Sequence, residues 1–305
     1  MTTSQRMHSD EVAIDAALAQ SLLASQFPHY GDLPVRQVAH SGTDNAIFRL
    51  GDELAARMPR RPSSAAQPEK EHRWLPMLAP ALPLPIPAPL ALGNPDESYP
   101  FHWTVCPWLA GANPDDGAVA HAASTGSDLA RFIAALRQID AAHAPRPGPH
   151  NFGRGVPLRQ RDALTREAIH TLTGELDTAR ALEAWDAALM APEWTGRPAW
   201  LHGDIAPGNL LAVDGRITAV IDFGGLAAGD PACDLMVAWN FLRGSARDAF
   251  RAGLEADDAG WARGRGWALS VALIQLPYYA NTNQALAENS RTTIAEVLAD
   301  FSRNG

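Results

Sequence analysis

Cysteine is nearly absent from this 305-residue chain, which carries only Cys106 and Cys233. Two isolated cysteines make neither a disulfide framework nor a metal cluster. They are expected to be reduced, partly buried thiols of a cytoplasmic protein. Long apolar runs are lacking too. The longest candidate, Leu78 to Leu92, is broken by five prolines, so no transmembrane span is expected. The first twenty residues contain no apolar core, and no secretory signal is expected. Basic residues are in deficit: 25 Lys and Arg against 34 Asp and Glu give a net charge of −9. A general nucleic-acid binder needs a basic footprint, so neither nucleic acid nor membrane is expected as a partner.

Hydrophobic residues make up 46% of the chain and charged residues 19%, the balance of an ordinary globular protein. The length allows one or two domains with a real core. The most informative stretch is WLHGDIAPGNLLAVDGRITAVIDFGGLAAGDPACDL, Trp200 to Leu235. His202, Asp204 and Asn209 give H-x-D-x(4)-N, and Asp222-Phe223-Gly224 follows after twelve further residues. Two short apolar runs lie between, joined at Asp214-Gly215, a hairpin dipeptide. An antiparallel hairpin brings Asn209, at the start of one strand, to Asp222, at the end of the other. The loop carrying Asp204 arrives at the same place.

Carboxylates and an amide oxygen converging at a loop mouth suit Mg²⁺, which takes oxygen ligands and is commonly shared with substrate phosphates. With Asn209 and Asp222 as metal ligands, Asp204 is left to orient a hydroxyl and accept its proton, the division of labour of phosphoryl transfer. HGDIAPGNLL, VIDFGG and GDPACDL resemble the catalytic loop, the metal-binding loop and the next helix start of the aminoglycoside phosphotransferase family. That family is a branch of the protein-kinase-like fold that phosphorylates small molecules, macrolides among them.

The resemblance implies an α+β, bilobal fold. A small antiparallel-sheet lobe with a helix is expected over residues 1–105, a hinge over 106–113 and a larger, mainly helical lobe over 114–305. It implies Mg²⁺, ATP or GTP as co-substrate, a small-molecule acceptor, and a monomer or homodimer. It also implies that Asp234 steadies the catalytic loop by hydrogen bonds and that His202 does so by packing near Phe223. Asp230, ahead of Pro231, reads independently as a helix cap.

In the first lobe, a helix from about Asp10 to Gln26 with Ser9 as cap precedes a three-strand meander. Its first turn holds Ser41, Thr43 and Asn45, and such a turn can lay backbone N–H groups over phosphates. It contains one glycine, Gly42, rather than G-x-G-x-x-G. Arg57 is the basic residue of the third strand and is expected on the phosphates, with Arg60 and Arg61 as alternatives. Glu71 is preferred over Glu69 as its partner. The proline run from Leu82 reads as an extended connector. The strand after it places Val105, Cys106 and Trp108 where the resemblance implies adenine contacts.

The second lobe reads as helices over Ser127–His143, Leu158–Leu172 and Leu176–Met190, with the loop 145–155 showing no regular pattern. Its tail, Ser245 to Phe301, reads as helical with breaks at Gly260, Gly266 and Pro277. Asp257, Asp258, Trp261 and Tyr278 are the residues available there for an acceptor site. Seven residues, Phe223 to Gly229, separate Asp222 from Asp230, which leaves no room for a protein kinase's activation segment and favours a compact acceptor. Alternatives from other classes are a nucleotide-binding module without catalysis and a kinase of a small metabolite unrelated to antibiotics.

Overall fold

Asp15 sets the first helix. Its carboxylate accepts from the Leu18 N–H at 2.8 Å, so α1 spans Ala16–Gln26 rather than starting at Asp10. The computed structural model describes residues 11–38, 44–115 and 117–304; Ser9, Asp10, Ser41 and Thr43 lie outside the described residues. Three strands follow, β1 (Val35–Gln37), β2 (Asn45–Leu50) and β3 (Leu54–Pro59), then helix α2 (Gln67–Leu78), β4 (Ala91–Gly93) and β5 (Trp103–Pro107). They form one antiparallel sheet in the order β1-β2-β3-β5-β4. β3 is therefore the middle strand, and Arg57 lies opposite Ile47 on one side and Thr104 on the other.

The core of this sheet gathers Leu22 and Leu23 of α1, Phe48, Met58, Trp103 and Val105. Phe27 meets the Trp103 ring edge-on at 5.4 Å. On α2, Glu71 and Leu75 are both buried one turn apart, so one helical face carries both. The proline connector is not uniformly extended, since the Ala88 N–H turns back on the Ile86 carbonyl at 2.8 Å, before Leu90 donates to the Val105 carbonyl at 2.7 Å and feeds β4. The chain divides into two compact units, one of Met1–Pro80 with Pro85–Ala110 and one of Ala81–Leu84 with Gly111–Gly305.

The second unit is mainly helical. Its elements are α3 (Ala118–His121), α4 (Ala123–Gln138), α5 (Asp162–Thr171), α6 (Thr178–Met190), β6 (Ala199–Leu201), β7 (Leu210–Val213), β8 (Arg216–Val220) and β9 (Ala227–Gly229). They are followed by α7 (Val237–Asn240), α8 (Ser245–Gly253), α9 (Asp258–Tyr279) and α10 (Gln284–Asn304). β7 pairs with β8 and β6 with β9, both antiparallel. Trp185, Trp200, Trp239 and Trp267 are fully buried among the helices. α4 ends at Gln138, well before Pro145, and Ile139 leaves in an extended conformation.

The breaks expected at Gly260, Gly266 and Pro277 do not occur: all three lie inside α9. Glycine serves packing there. A Cβ on Gly264 would stand 2.5 Å from Leu235 Cβ, and one on Gly266 2.7 Å from Ala188 Cβ. Pro277 supplies no N–H to the ladder, and the helix ends two residues beyond it. Gly126 of α4 is tighter, since its Cβ would stand 1.9 Å from the Ala246 carbonyl oxygen at the start of α8. Gly126→Ala is expected to destabilise the protein by about 1–3 kcal/mol through overpacking against backbone. Thermal melting checks it, with Gly208→Ala, which meets nothing within 4 Å, as the unchanged control.

Candidate active site

The β7–β8 hairpin turns at Asp214 and Gly215, whose φ angles of 49° and 76° are both left-handed, as a tight two-residue hairpin turn requires. The Ile221 N–H donates to the Asn209 carbonyl at 2.9 Å, so the residue before Asp222 is bonded to Asn209. The hairpin thus sets the backbone of Asn209 beside the residue that precedes Asp222. Asp222 itself has φ 62° and accepts from Gly224 N–H at 3.3 Å, so its backbone sits in a region that non-glycine residues rarely adopt. Asn209 donates through Nδ2 to the Asp204 carbonyl at 2.8 Å and to Asp204 Oδ2 at 3.1 Å. That orientation turns the Asn209 amide oxygen away from Asp204. Asn209 and Asp222 are oxygen donors of the kind Mg²⁺ takes, so the residues present fit that ion.

His202 organises the approach to Asp204. It is completely buried; its Nδ1 accepts from the Asp204 N–H at 3.2 Å and its Nε2 lies 3.0 Å from the Ile221 carbonyl. One neutral tautomer, protonated at Nε2, satisfies both bonds. The ring packs 4.5 Å from Phe223. Asp234 accepts from the backbone N–H groups of His202 at 2.8 Å and Gly203 at 2.7 Å. Burial pushes the Asp234 carboxyl above its usual range, while those two donors and Arg137 pull it back. Gly203 has φ 83°, and a Cβ there would stand 2.5 Å from the Gly225 carbonyl oxygen, so the loops that carry Asp204 and Asp222 touch backbone to backbone. Asp230 caps the turn at Ala232 at 2.9 Å and also accepts from Arg263 Nε at 2.8 Å in a buried ion pair.

Two contributors were not legible beforehand. Asn113 donates to the Gly208 and Leu210 carbonyls, each at 2.8 Å, beside a backbone bridge between Ala112 and Ala212. Arg154, from the loop that showed no pattern, donates from Nη2 to Asp204 Oδ1 at 3.3 Å. The only signal in the sequence was an arginine set between Gly153 and Gly155.

In the sheet unit, Arg57 Nη1 lies 2.6 Å from Glu71 Oε2, with side chains 12% and 2% exposed. Glu69 is instead exposed and 3.8 Å from His102. Asn45 does not stand in the phosphate turn as expected. It is the buried first residue of β2, and its amide donates to Gln67 at 3.3 Å, tying the strand to α2. Val105 and Cys106 are buried in β5, and burial pushes the Cys106 thiol up to about 12. The Trp108 backbone N–H donates to the Glu53 carbonyl at 2.7 Å, and Arg49 lies over the indole at 4.8 Å.

The four expected acceptor residues do not form one site. Asp257 caps α9 through Gly260 N–H at 2.6 Å, Asp258 pairs with Arg251 on the surface, and Trp261 is buried against Trp239 at 4.6 Å. Tyr278 is half exposed in the last turn of α9. At 1.5 Å per residue it is about 25 Å along the helix from Trp261, too far for one compact ligand.

The same architecture recurs in solved structures. The GDP complex of wild-type aminoglycoside 2'-phosphotransferase-IIIa matches with a TM-score of 0.71 at 17% identity, covering 94% of this chain and 100% of that one. A macrolide 2'-phosphotransferase of Brachybacterium faecium matches with a TM-score of 0.60 at 23% identity, covering 93% and 97%. The fold is therefore that of the protein-kinase-like phosphotransferases. The profile of the phosphotransferase enzyme family matches residues 35–267, and the chain belongs to that family. A homoserine kinase of Acidiphilium cryptum (strain JF-5) is 28% identical over 207 residues, 65% of this chain and 62% of that protein. The match thus takes in less than two thirds of that relative's length.

Asp234→Ala leaves the His202 and Gly203 N–H groups buried without acceptors. At about 1–3 kcal/mol for each orphaned group, a loss of several kcal/mol is expected. Chemical denaturation measures it; a change within about 0.5 kcal/mol would show that water takes over the carboxylate's place.

Proposed function

We propose that the protein is a small-molecule kinase that transfers the γ-phosphoryl group of ATP or GTP, with Mg²⁺, to a hydroxyl of a compact acceptor. The observation that carries this reading is the Asp204 carboxylate, fixed by Asn209 at 3.1 Å beside the hairpin whose far strand leads into Asp222. Asp204 is 39% exposed at its side chain and can meet a ligand. In this reading it aims the acceptor hydroxyl and takes up its proton. Asn209 and Asp222 hold Mg²⁺, which when bound supplies positive charge to the phosphate oxygens. Arg57, held by Glu71, steadies the α- and β-phosphates. Positioning and charge neutralisation then account for most of the acceleration.

A compact acceptor is favoured by the segment after Asp222. It forms a single helical turn, Phe223–Gly225, and then pairs as β9 with β6, all of it buried. No loop is left there to receive a polypeptide. The homoserine kinase relative and the aminoglycoside and macrolide enzymes of like fold set the acceptors to try. No helix among the described residues is long and apolar enough to cross a membrane.

The test is phosphoryl transfer from ATP and GTP, with Mg²⁺, to homoserine, kanamycin, gentamicin and a macrolide. Acceptor-dependent transfer is expected. Asp204→Asn should lower kcat by about 10²- to 10⁴-fold with nucleotide binding retained, and Asp222→Ala should abolish Mg²⁺-dependent nucleotide binding. Full activity in either variant overturns the assignment. Nucleotide binding without transfer to any acceptor would support a binding module instead.

A further inference from the structure

We propose that the loop 148–155 is a third loop of the catalytic centre, and that its Arg154 is the positioning residue that fixes the plane of the Asp204 carboxylate. The inference rests on the phosphotransferase reading of Asp204.

The loop reads Gly148-Pro149-His150-Asn151-Phe152-Gly153-Arg154-Gly155. Phe152, Gly153 and Gly155 have φ angles of 57°, 65° and 88°, three left-handed residues within four. A non-glycine residue held there is strained and persists only where its surroundings impose the conformation. Here they do. Asn151 is completely buried, and its side chain makes three bonds: Nδ2 donates to the Arg154 carbonyl at 2.9 Å and to the Gly225 carbonyl at 3.2 Å, and Oδ1 accepts from Gly148 N–H at 2.9 Å. One amide therefore holds both the backbone of Arg154 and the loop that follows Asp222. Gly155 accepts from Asp230 N–H at 2.9 Å, and a Cβ on it would stand 2.4 Å from Leu201, just ahead of His202. The loop is tied to the catalytic segment, to the metal loop and to the next helix start.

What it delivers is a charge. The Arg154 side chain is 9% exposed; Nη1 lies 3.7 Å from Met236 Sδ and Nη2 3.3 Å from Asp204 Oδ1. A sulfur is a weak acceptor, so Asp204 is the partner that answers the buried guanidinium. The consequence falls on Asp204. Asn209 alone, at Oδ2, leaves the carboxylate free to swing about its Cβ–Cγ bond. Arg154 at Oδ1 closes that freedom, so the oxygens are set before an acceptor arrives. Pre-set geometry of this kind is where a shift of about 1 Å costs on the order of 10²-fold in rate.

The experiment is a cycle of Arg154→Gln and Asp204→Asn, singly and together, with Arg154→Lys and Asn151→Ser alongside. ADP release from Mg²⁺-ATP is read with each acceptor of the panel and with water alone, so that turnover is measured whatever the acceptor. Thermal melting verifies that each variant is folded. The expected result is a kcat loss of about 10- to 100-fold in Arg154→Gln with the KM for ATP unchanged. Arg154→Lys recovers part of it, and Asn151→Ser shows a smaller loss in the same direction. In the Asp204→Asn background, Arg154→Gln should add nothing, because groups acting as one unit are not additive. A crystal structure of Arg154→Gln should show the Asp204 carboxylate turned from Arg154's position.

An equal loss in both backgrounds, a folded Arg154→Gln with unchanged kcat, or an unmoved Asp204 carboxylate in its crystal structure would overturn the positioning role. Full activity in Asp204→Asn is a different result, since it removes the phosphotransferase assignment of Asp204 itself.

Discussion

The segment from His202 to Asn209 depends on one buried carboxylate. Asp234 answers the N–H groups of His202 and Gly203, which point into the protein and have no sheet or helix partner. A buried donor without an acceptor is worth about 1–3 kcal/mol of destabilisation. That penalty keeps the turn before Asp204 where it is. From there the order propagates through side-chain bonds: His202 takes the Asp204 N–H on one ring nitrogen and reaches the end of β8 with the other. Asn209 then ties its amide to Asp204 and its carbonyl to Ile221. Each link uses backbone or a short polar side chain, which is stiffer than a contact between two long side chains.

Strain and close approach collect in the same place. Asp222 is left-handed, and Gly203 lies backbone to backbone on Gly225. The left-handed Asp222 costs about 1–3 kcal/mol, whereas Gly203 takes its positive φ freely, and the surrounding helices offset the strain. Asp230, paired with Arg263 of α9, and Asn240, donating to the Ile205 carbonyl at 2.9 Å, connect the loops to buried helical surface. The sheet unit solves a simpler problem. Arg57 lies on the middle strand with Glu71 against it. Removing either partner strands a charge in the interior, so the pair is stabilised less by its own attraction than by the absence of a cheaper state.

The legible parts of the sequence were those in which function and local backbone chemistry coincide. Asp214-Gly215 dictates a hairpin by conformation alone, and its length then fixes Asn209 against Ile221. The Arg57–Glu71 pair followed from one strand and one helix face. Asp230 before Pro231 read as a cap because capping is local. The failures were of another kind. Gly260 and Gly266 look like helix breakers because propensity is a statement about an isolated helix; in α9, Gly266 lies against Leu158 and Ala188. Asn45 looked like a turn residue, yet it begins a strand and bonds Gln67. Asp257, Asp258, Trp261 and Tyr278 share a helix but not an end of it, and composition cannot see that distance.

Asn113 and Arg154 were invisible for a further reason. Each acts on the loop of Asp204 from a segment distant in sequence, 95 residues away for Asn113 and Gly208 and 50 for Arg154 and Asp204. No local period or spacing encodes such contacts. They arise because a loop without regular structure must satisfy its polar groups somewhere, and here it does so on the loops that carry the acids. Asn151 shows the logic in one residue: a single buried amide satisfies its own loop and the loop that follows Asp222 together. A segment that looks featureless in sequence becomes, through that amide, part of the frame on which Asp204 is set.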